Sequence, residues 1–336
     1  MDYFGIDMPT EYGGLDLDFG YTVVFLEEIN KCNSSGFGAA IGTHAFLAMA
    51  HMVAAGSTFL KEKYLTPGIK GEKFGCLAIT EPGAGSDVAN IRTKAVLKGD
   101  NYIINGSKTF ITNGVLSDFL VVATKTLPEA GAGGISLFVL DREMEGISAT
   151  SLNKLGWHAS DTAEIKLDNV AVPKEHLIGE ENKGFYYIMQ RFALERLVLA
   201  IGAIASCEYA MEYSLSYMAE REAFGRKINR FQELRHRIAQ LSSEIECNKY
   251  FNYNVCKAYG EGKETVKEST MAKLNSTQLA DKVMYQCLQF FGGYGYMEDY
   301  KMARLFRDAR IGTIGGGTSE IMNEIIAKIV VDKVAY

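Results

Sequence analysis

Apolar and polar positions mix without strict alternation over the first part of the chain, and residues 21–29 and 45–50 read as helix. Near Phe74 the pattern changes. Residues 74–79, 94–97, 102–104, 119–123, 135–140 and 164–167 are short runs rich in strand-forming residues, separated by turn signals at Gly99-Asp100, Asn105-Gly106 and 131–134. They predict a small antiparallel β domain. From about Gly184 a helical period returns: Leu234, Ile238, Leu241 and Ile245 step by four and three, and Met271, Leu274 and Leu279 begin a second stripe. Such stripes form the core of a helical bundle more often than a cofactor groove. The order helix, sheet, helix predicts an α+β fold, with helices over 1–74, the β domain over 75–182 and a helical bundle over 183–336.

Composition narrows the function. The 336 residues are 47% hydrophobic, enough for more than one core, and contain no long apolar run that reads as membrane-spanning. A net charge of -6 without a basic cluster argues against nucleic acid as a partner. Six scattered cysteines form no C-x-x-C pair and read as reduced, structural thiols. The five histidines show no ligand spacing, so no metal site is expected. The first residues lack the regions of a signal peptide.

The chemistry concentrates in Thr80-Glu81-Pro82-Gly83-Ala84-Gly85-Ser86-Asp87, directly after the 74–79 run. Gly83 and Gly85 are expected to take backbone angles closed to other residues, turning N–H groups around an anion while Thr80 and Ser86 add hydroxyls. By residue type alone an ordinary Gly-Pro turn is the commoner outcome. The rest of the chain decides otherwise, because this segment resembles the opening of the middle domain in acyl-CoA dehydrogenases. Residues 105–114 (Asn-Gly-Ser-Lys-Thr-Phe-Ile-Thr-Asn-Gly), 221–225, 289–296 and 307–321 match the same family in the same order. The chain is therefore identified as a member. The resemblance implies FAD, an acyl-CoA substrate, electron transfer to an electron-transfer flavoprotein, and a homo-oligomer built as a dimer of dimers. It also implies a cytoplasmic enzyme if prokaryotic, or one of the mitochondrial matrix if eukaryotic. Relatives usually carry several helices before the stretch matching Gly5–Gly14, so the N-terminal helical domain is expected to be truncated, whether by a late start of the gene model or by nature, leaving apolar surface uncovered.

Carried over by position, Leu77, Ile79, Thr80, Gly85 and Ser86, together with Phe110 and Thr112, border the flavin ring. Phe110 stands where most relatives have Trp. It keeps an aromatic face but loses an indole N–H. Arg221, Phe224, Gln232, Gln289, Gly292 and Gly293 match positions that hold the adenosine and pyrophosphate of a neighbouring subunit's FAD, and Thr318 and Glu320 match further flavin contacts. Taken alone, Arg221 between Glu220 and Glu222 is as well a surface ion pair. Ser86, Arg196 and Gly316 match residues flanking bound acyl-CoA, and the small Gly315-Gly316 pair is expected to leave extra room near the acyl chain.

No side chain accepts hydride, so α,β-desaturation of a thioester needs the flavin and, for the α-proton, a base. Many relatives place a glutamate where this chain has Gly316. The long-chain and isovaleryl members carry it instead in a Leu-Glu-Arg segment, matched here by Leu194-Glu195-Arg196. Glu195 is the candidate base and Glu320 ranks second. The competing role for Glu195 is an ion pair with Arg191 or Arg196, the commoner fate of a helix glutamate. Two other activities stay open: an oxygen-reactive oxidase of the same fold, and a non-catalytic assembly partner.

Overall fold

A computed structural model describes residues 3–334. They separate into two compact units, one of residues up to Asp18, Ala39–Lys154 and Ser160–Phe192, the other of Phe19–Gly38, Leu155–Ala159 and the chain from Ala193 onward. The early helices are α1 (Phe19–Asn30), α2 (Ser35–Gly42), α3 (Met49–Ala55), α4 (Thr58–Leu60) and α5 (Thr66–Ile69), with a π-helical turn (Thr43–Ala48) joining α2 to α3.

The first unit is built on an eight-stranded sheet. Its strands are β1 (Gly75–Ala78), β2 (Lys94–Lys98), β3 (Asn101–Thr112), β4 (Phe119–Lys125), β5 (Ile135–Asp141), β6 (Ile147–Ser151), β7 (Thr162–Pro173) and β8 (Leu177–Ile178). Their order is β6-β7-β3-β2-β4-β5-β8, with β1 paired to β4. Most pairs are antiparallel, as expected, but β1 runs parallel to β4, and β2 meets β4 in parallel through Lys94 and Lys125. The Asp118 carboxylate locks the β1 edge by accepting the Phe74 N–H at 2.6 Å. Asn105-Gly106 is not a turn. It is an irregularity inside the long β3, where the register against β7 shifts between Ile104 and Gly106, and Asn105 Oδ1 accepts the Asn169 N–H at 2.8 Å. The side-chain bond supports the pairing where the ladder is interrupted. Ile104, Leu120, Val122, Phe138, Ile165 and Val170 form the sealed centre beneath the sheet.

The second unit is helical. Its long members are α6 (Gly184–Glu220), α7 (Gln232–Gly260) and α8 (Val266–Phe291), followed by α9 (Lys301–Ala309) and α10 (Ser319–Val330). The predicted stripe on α7 appears with Leu241 and Ile245 buried and Leu234 and Ile238 packed beside them against Val283, Met284 and Cys287 of α8.

The helical stretch Ser35–Ala55 contains an 18-residue window of mean hydropathy 1.4, long and apolar enough by composition to cross a membrane, which the sequence reading did not anticipate. Half of that stretch is buried inside the protein, the pattern of a core helix. It carries two buried histidines. His44 Nδ1 accepts the Gly75 N–H at 3.0 Å, so its Nε2 carries the proton and donates to the Gly68 carbonyl. His51 bonds the Leu47 carbonyl through Nδ1 at 2.7 Å. Burial pushes both imidazoles down to about 4, against the carbonyl bonds that favour the charged form.

Because the folded pKa lies below the unfolded 6.5, the unfolded chain binds more protons under pH 6.5, and the histidine contribution to stability is lost as pH falls from 6.5 towards 4. Each imidazole contributes a slope of up to about 1.4 kcal/mol per pH unit in that window. Urea unfolding of the wild type and of His51→Leu at pH 7 and 4.5 checks this: the variant should lose markedly less stability across the window.

Candidate active site

In the β domain, β1 runs into the loop from Ile79 to Asp87, and this loop is held from below. The Glu81 carboxylate accepts the Arg92 N–H at 2.6 Å, the Thr93 N–H at 2.9 Å, the Thr93 hydroxyl at 2.6 Å and the Lys108 ammonium at 2.8 Å. Lys108 also donates to the Ile79 carbonyl at 2.9 Å and is fully buried. Burial alone would raise the Glu81 carboxyl, but the Lys108 charge and the four donors hold it below the usual carboxylate range. Glu81 and Ala84 exchange N–H···O bonds of 3.0 Å each, closing the turn. The expectation for Gly83 and Gly85 fails: neither has a positive φ. A Cβ at either would meet nothing within 4 Å, so the loop is open on that side and its shape comes from Glu81.

The Thr109 N–H donates to the Thr80 carbonyl at 2.9 Å and brings the end of β3 beside this loop. There the register against β7 shifts again, between Lys108 and Ile111. Phe110 takes φ +60°, an outlier for a bulky residue, and is 70% exposed. The aromatic ring is thus held out to solvent by a strained backbone. Leu77, Thr80 and Thr112 are partly buried around it, Ile79 is buried, and Gly85 and Ser86 are exposed.

In the helical unit, Glu195 sits on α6, partly buried. Among the described residues no cation lies within ion-pair distance of its carboxyl, so the pairing with Arg191 or Arg196 does not form. Arg196 instead donates to Thr270 Oγ1 at 3.0 Å. Burial pushes the Glu195 carboxyl above its ordinary value, partly offset by the charges of Arg196 and Lys273. Gly316, at φ +61°, lies directly beside it: a Cβ there would sit 3.3 Å from Glu195 Oε1 and 2.4 Å from Leu199 Cδ1. The extra room expected at Gly316 is thus already taken by Leu199 and by Glu195 itself. Thr318 caps α10, accepting the Ile321 N–H at 3.3 Å. Glu320 is exposed, and its own N–H and the Thr318 hydroxyl hold its carboxyl below the usual range.

Arg221, Gln289, Gly292 and Gly293 line a cleft of about 480 Å³ with Tyr217 and Tyr294. The Arg221 guanidinium stands over the Tyr294 ring, 5.6 Å from its centroid, while Glu222 pairs with Lys227 at 2.9 Å. Gly292 ends α8 at φ 58°, ψ -136°, a conformation that needs glycine, and a Cβ there would project into open space. Phe224, 95% exposed at φ +52°, and Gln232 lie outside the cleft lining.

The sequence reading missed two buried lysines. Lys108 occupies an inward position of a strand, and Lys273 lies on α8 in line with Ser269, Thr270, Ser276 and Thr277, all buried. For Lys273, small polar residues three and four positions away on either side were the available signal.

Three family models cover this architecture: the acyl-CoA dehydrogenase N-terminal domain over residues 1–72, the middle domain over 76–170 and the C-terminal domain over 182–331. The chain belongs to the acyl-CoA dehydrogenase family. It is 39% identical over 330 residues to the mouse mitochondrial long-chain specific acyl-CoA dehydrogenase, spanning 97% of this chain and 76% of that one. The rice isovaleryl-CoA dehydrogenase is 39% identical over 325 residues, 96% of this chain and 79% of its own. The crystal structure of an acyl-CoA dehydrogenase from Geobacillus kaustophilus superposes with a TM-score of 0.93 at 41% identity, covering 97% of this chain and 86% of that one. The protein is thus a flavoenzyme of the acyl-CoA dehydrogenase family, whose members bind FAD.

Removing Lys108 leaves the Glu81 carboxylate buried with its countercharge gone. Lys108→Met should cost about 3–5 kcal/mol in urea unfolding, and Glu81→Gln combined with Lys108→Met, which removes the buried charge yet keeps an acceptor for the Arg92 and Thr93 donors, should recover part of that loss. Equal stability of the single variant and the wild type would show that the pair does not hold the loop.

Proposed function

We propose that this enzyme oxidises the Cα–Cβ bond of an acyl-CoA thioester to the trans-2-enoyl thioester, with Glu195 taking the α-proton. The observation that carries this reading is the Glu195 carboxyl, raised by burial, unpaired among the described residues, and lodged beside Gly316, where the commoner relatives carry their base. A carboxylate with a raised pKa is a stronger proton acceptor than an ordinary one. Exposed Glu320, held below the usual range, is the weaker candidate.

The residues fit FAD: an open loop with an outward aromatic in the β domain, and an arginine cleft with close-approach glycines in the helical unit. When bound, the flavin supplies the acceptor for the β-hydride. Leu77, Ile79, Thr80, Gly85, Ser86, Phe110 and Thr112 would border its ring, with Thr318 and Glu320 as further contacts. Ser86, Arg196 and Gly316 would flank the thioester. Glu195 and Arg221 are separated by roughly 39 Å of α6, further than one flavin dinucleotide reaches. This supports Arg221, Phe224, Gln232, Gln289, Gly292 and Gly293 serving a second copy's cofactor, in a dimer of dimers. Electron-transfer flavoprotein would take the electrons, in fatty or branched-chain acyl oxidation, in the mitochondrial matrix of a eukaryote or the cytoplasm of a prokaryote.

Glu195→Gln should keep FAD but slow flavin bleaching by an acyl-CoA under nitrogen by roughly 10²–10⁴. A near-normal bleaching rate would remove Glu195 from the mechanism. In the wild type, fast recolouring in air would mark an oxidase instead, and no bleaching by any acyl-CoA a non-catalytic partner.

Moving the base is a second test. Glu195→Gly with Gly316→Glu should partly restore the activity lost in Glu195→Gly alone, but only once Leu199→Ala clears the space that a Cβ at 316 requires. Activity in the triple variant no higher than in Glu195→Gly would show that the two positions do not converge.

A further inference from the structure

Lys273 has no part in the chemistry so far, yet it is a fully buried cation beside the proposed base. It projects from α8, and its Nζ donates to the Gly317 carbonyl at 2.5 Å. That carbonyl belongs to the turn that touches Glu195. Gly316 and Gly317 both have positive φ, +61° and +93°; Gly316 abuts Glu195 and Leu199, and Gly317 abuts Met322. One ammonium therefore pins the left-handed glycine turn and places a positive charge near the Glu195 carboxyl. We propose that Lys273 is a positioning residue: it fixes the Gly316–Gly317 turn against Glu195 and sets a positive charge on the side of that carboxyl facing α8. This rests on Glu195 being the proton acceptor.

The charged groups around Glu195 are few. Arg196 lies on its own helix and is turned towards Thr270. Lys273 faces it from α8, and both cations counter the rise that burial imposes on Glu195. Glu320, from α10, acts on Lys273 rather than on Glu195, and Arg310 acts on Glu320. Burial pulls the Lys273 ammonium itself down to about 8, so it is mostly charged at pH 7, where its effect on Glu195 is needed. The turn contributes no titratable group. Losing Lys273 thus removes one of two cations and the donor that anchors the turn.

Two readouts separate this role from simple packing. The first needs no turnover: difference infrared titration of the Glu195 carboxyl, assigned by its disappearance in Glu195→Gln, on the holoenzyme and on protein stripped of FAD. The second is the acid limb of the bleaching rate against pH. Lys273→Met should move the Glu195 midpoint and the acid limb upward together by about one pH unit or more. Lys273→Gln keeps a donor for the Gly317 carbonyl and should show the same upward shift with a smaller loss of thermal stability. Lys273→Arg should hold the midpoint near the wild-type value. An unmoved midpoint in folded Lys273→Gln, or an equal shift in Lys273→Arg, would overturn the proposal. Because the infrared midpoint is read without catalysis, it stands or falls separately from the identity of the base.

Discussion

Two glutamates are drawn out of water in this protein, each near a buried lysine, and the difference in how their oxygens are bonded sets the properties of the whole site. Glu81 receives four donors, including two backbone N–H groups, and burial is overcome: the carboxyl is held ionised and inert as a peg beneath the loop. Glu195 has comparable cations nearby but no donor in hydrogen-bond reach among the described residues, and burial prevails. The same residue type is thus a structural anion in one unit and, in the other, a carboxyl that burial raises. Hydrogen bonding to the charged form decides between them, more than charge alone.

Both lysines also fasten a main-chain carbonyl next to a loop that must stay open. Lys108 holds Ile79, and Lys273 holds Gly317. An ammonium with three donors suits this, since it binds a carbonyl and still counters a carboxylate. The arrangement keeps the ligand-facing sides of the loops free of side chains: a Cβ at Gly83, Gly85, Gly292 or Gly293 would meet nothing within 4 Å. Strain gathers in the same regions, where Phe110 and Phe224 hold aromatic rings outward on left-handed backbone. The surrounding ladder and hairpin bonds sustain that strain. Where Gly316 lies, in contrast, space is full, taken up by Leu199 and by the Glu195 carboxyl from α6.

Sequence alone determined the order of elements and the family, and it named Glu195 as the candidate base. Those depend on local signals: a period of two or of 3.6, turn residues at strand ends, and residue types at motif positions. Glu195 was legible because Gly316 left the usual base position without an acid. Asn105-Gly106 misled, because a turn dipeptide in an unbroken ladder becomes a bulge once β7 pairs alongside it. The conformations of Gly83 and Gly85 misled for a similar reason, since the loop is shaped by Glu81 and Lys108, 27 residues apart. Only the tertiary structure decided that Lys108 and Lys273 are buried, that Leu199 fills the space at Gly316, and that burial raises the Glu195 carboxyl. Burial and electrostatics are sums over neighbours brought together from distant parts of the chain, and no local pattern of residues contains them.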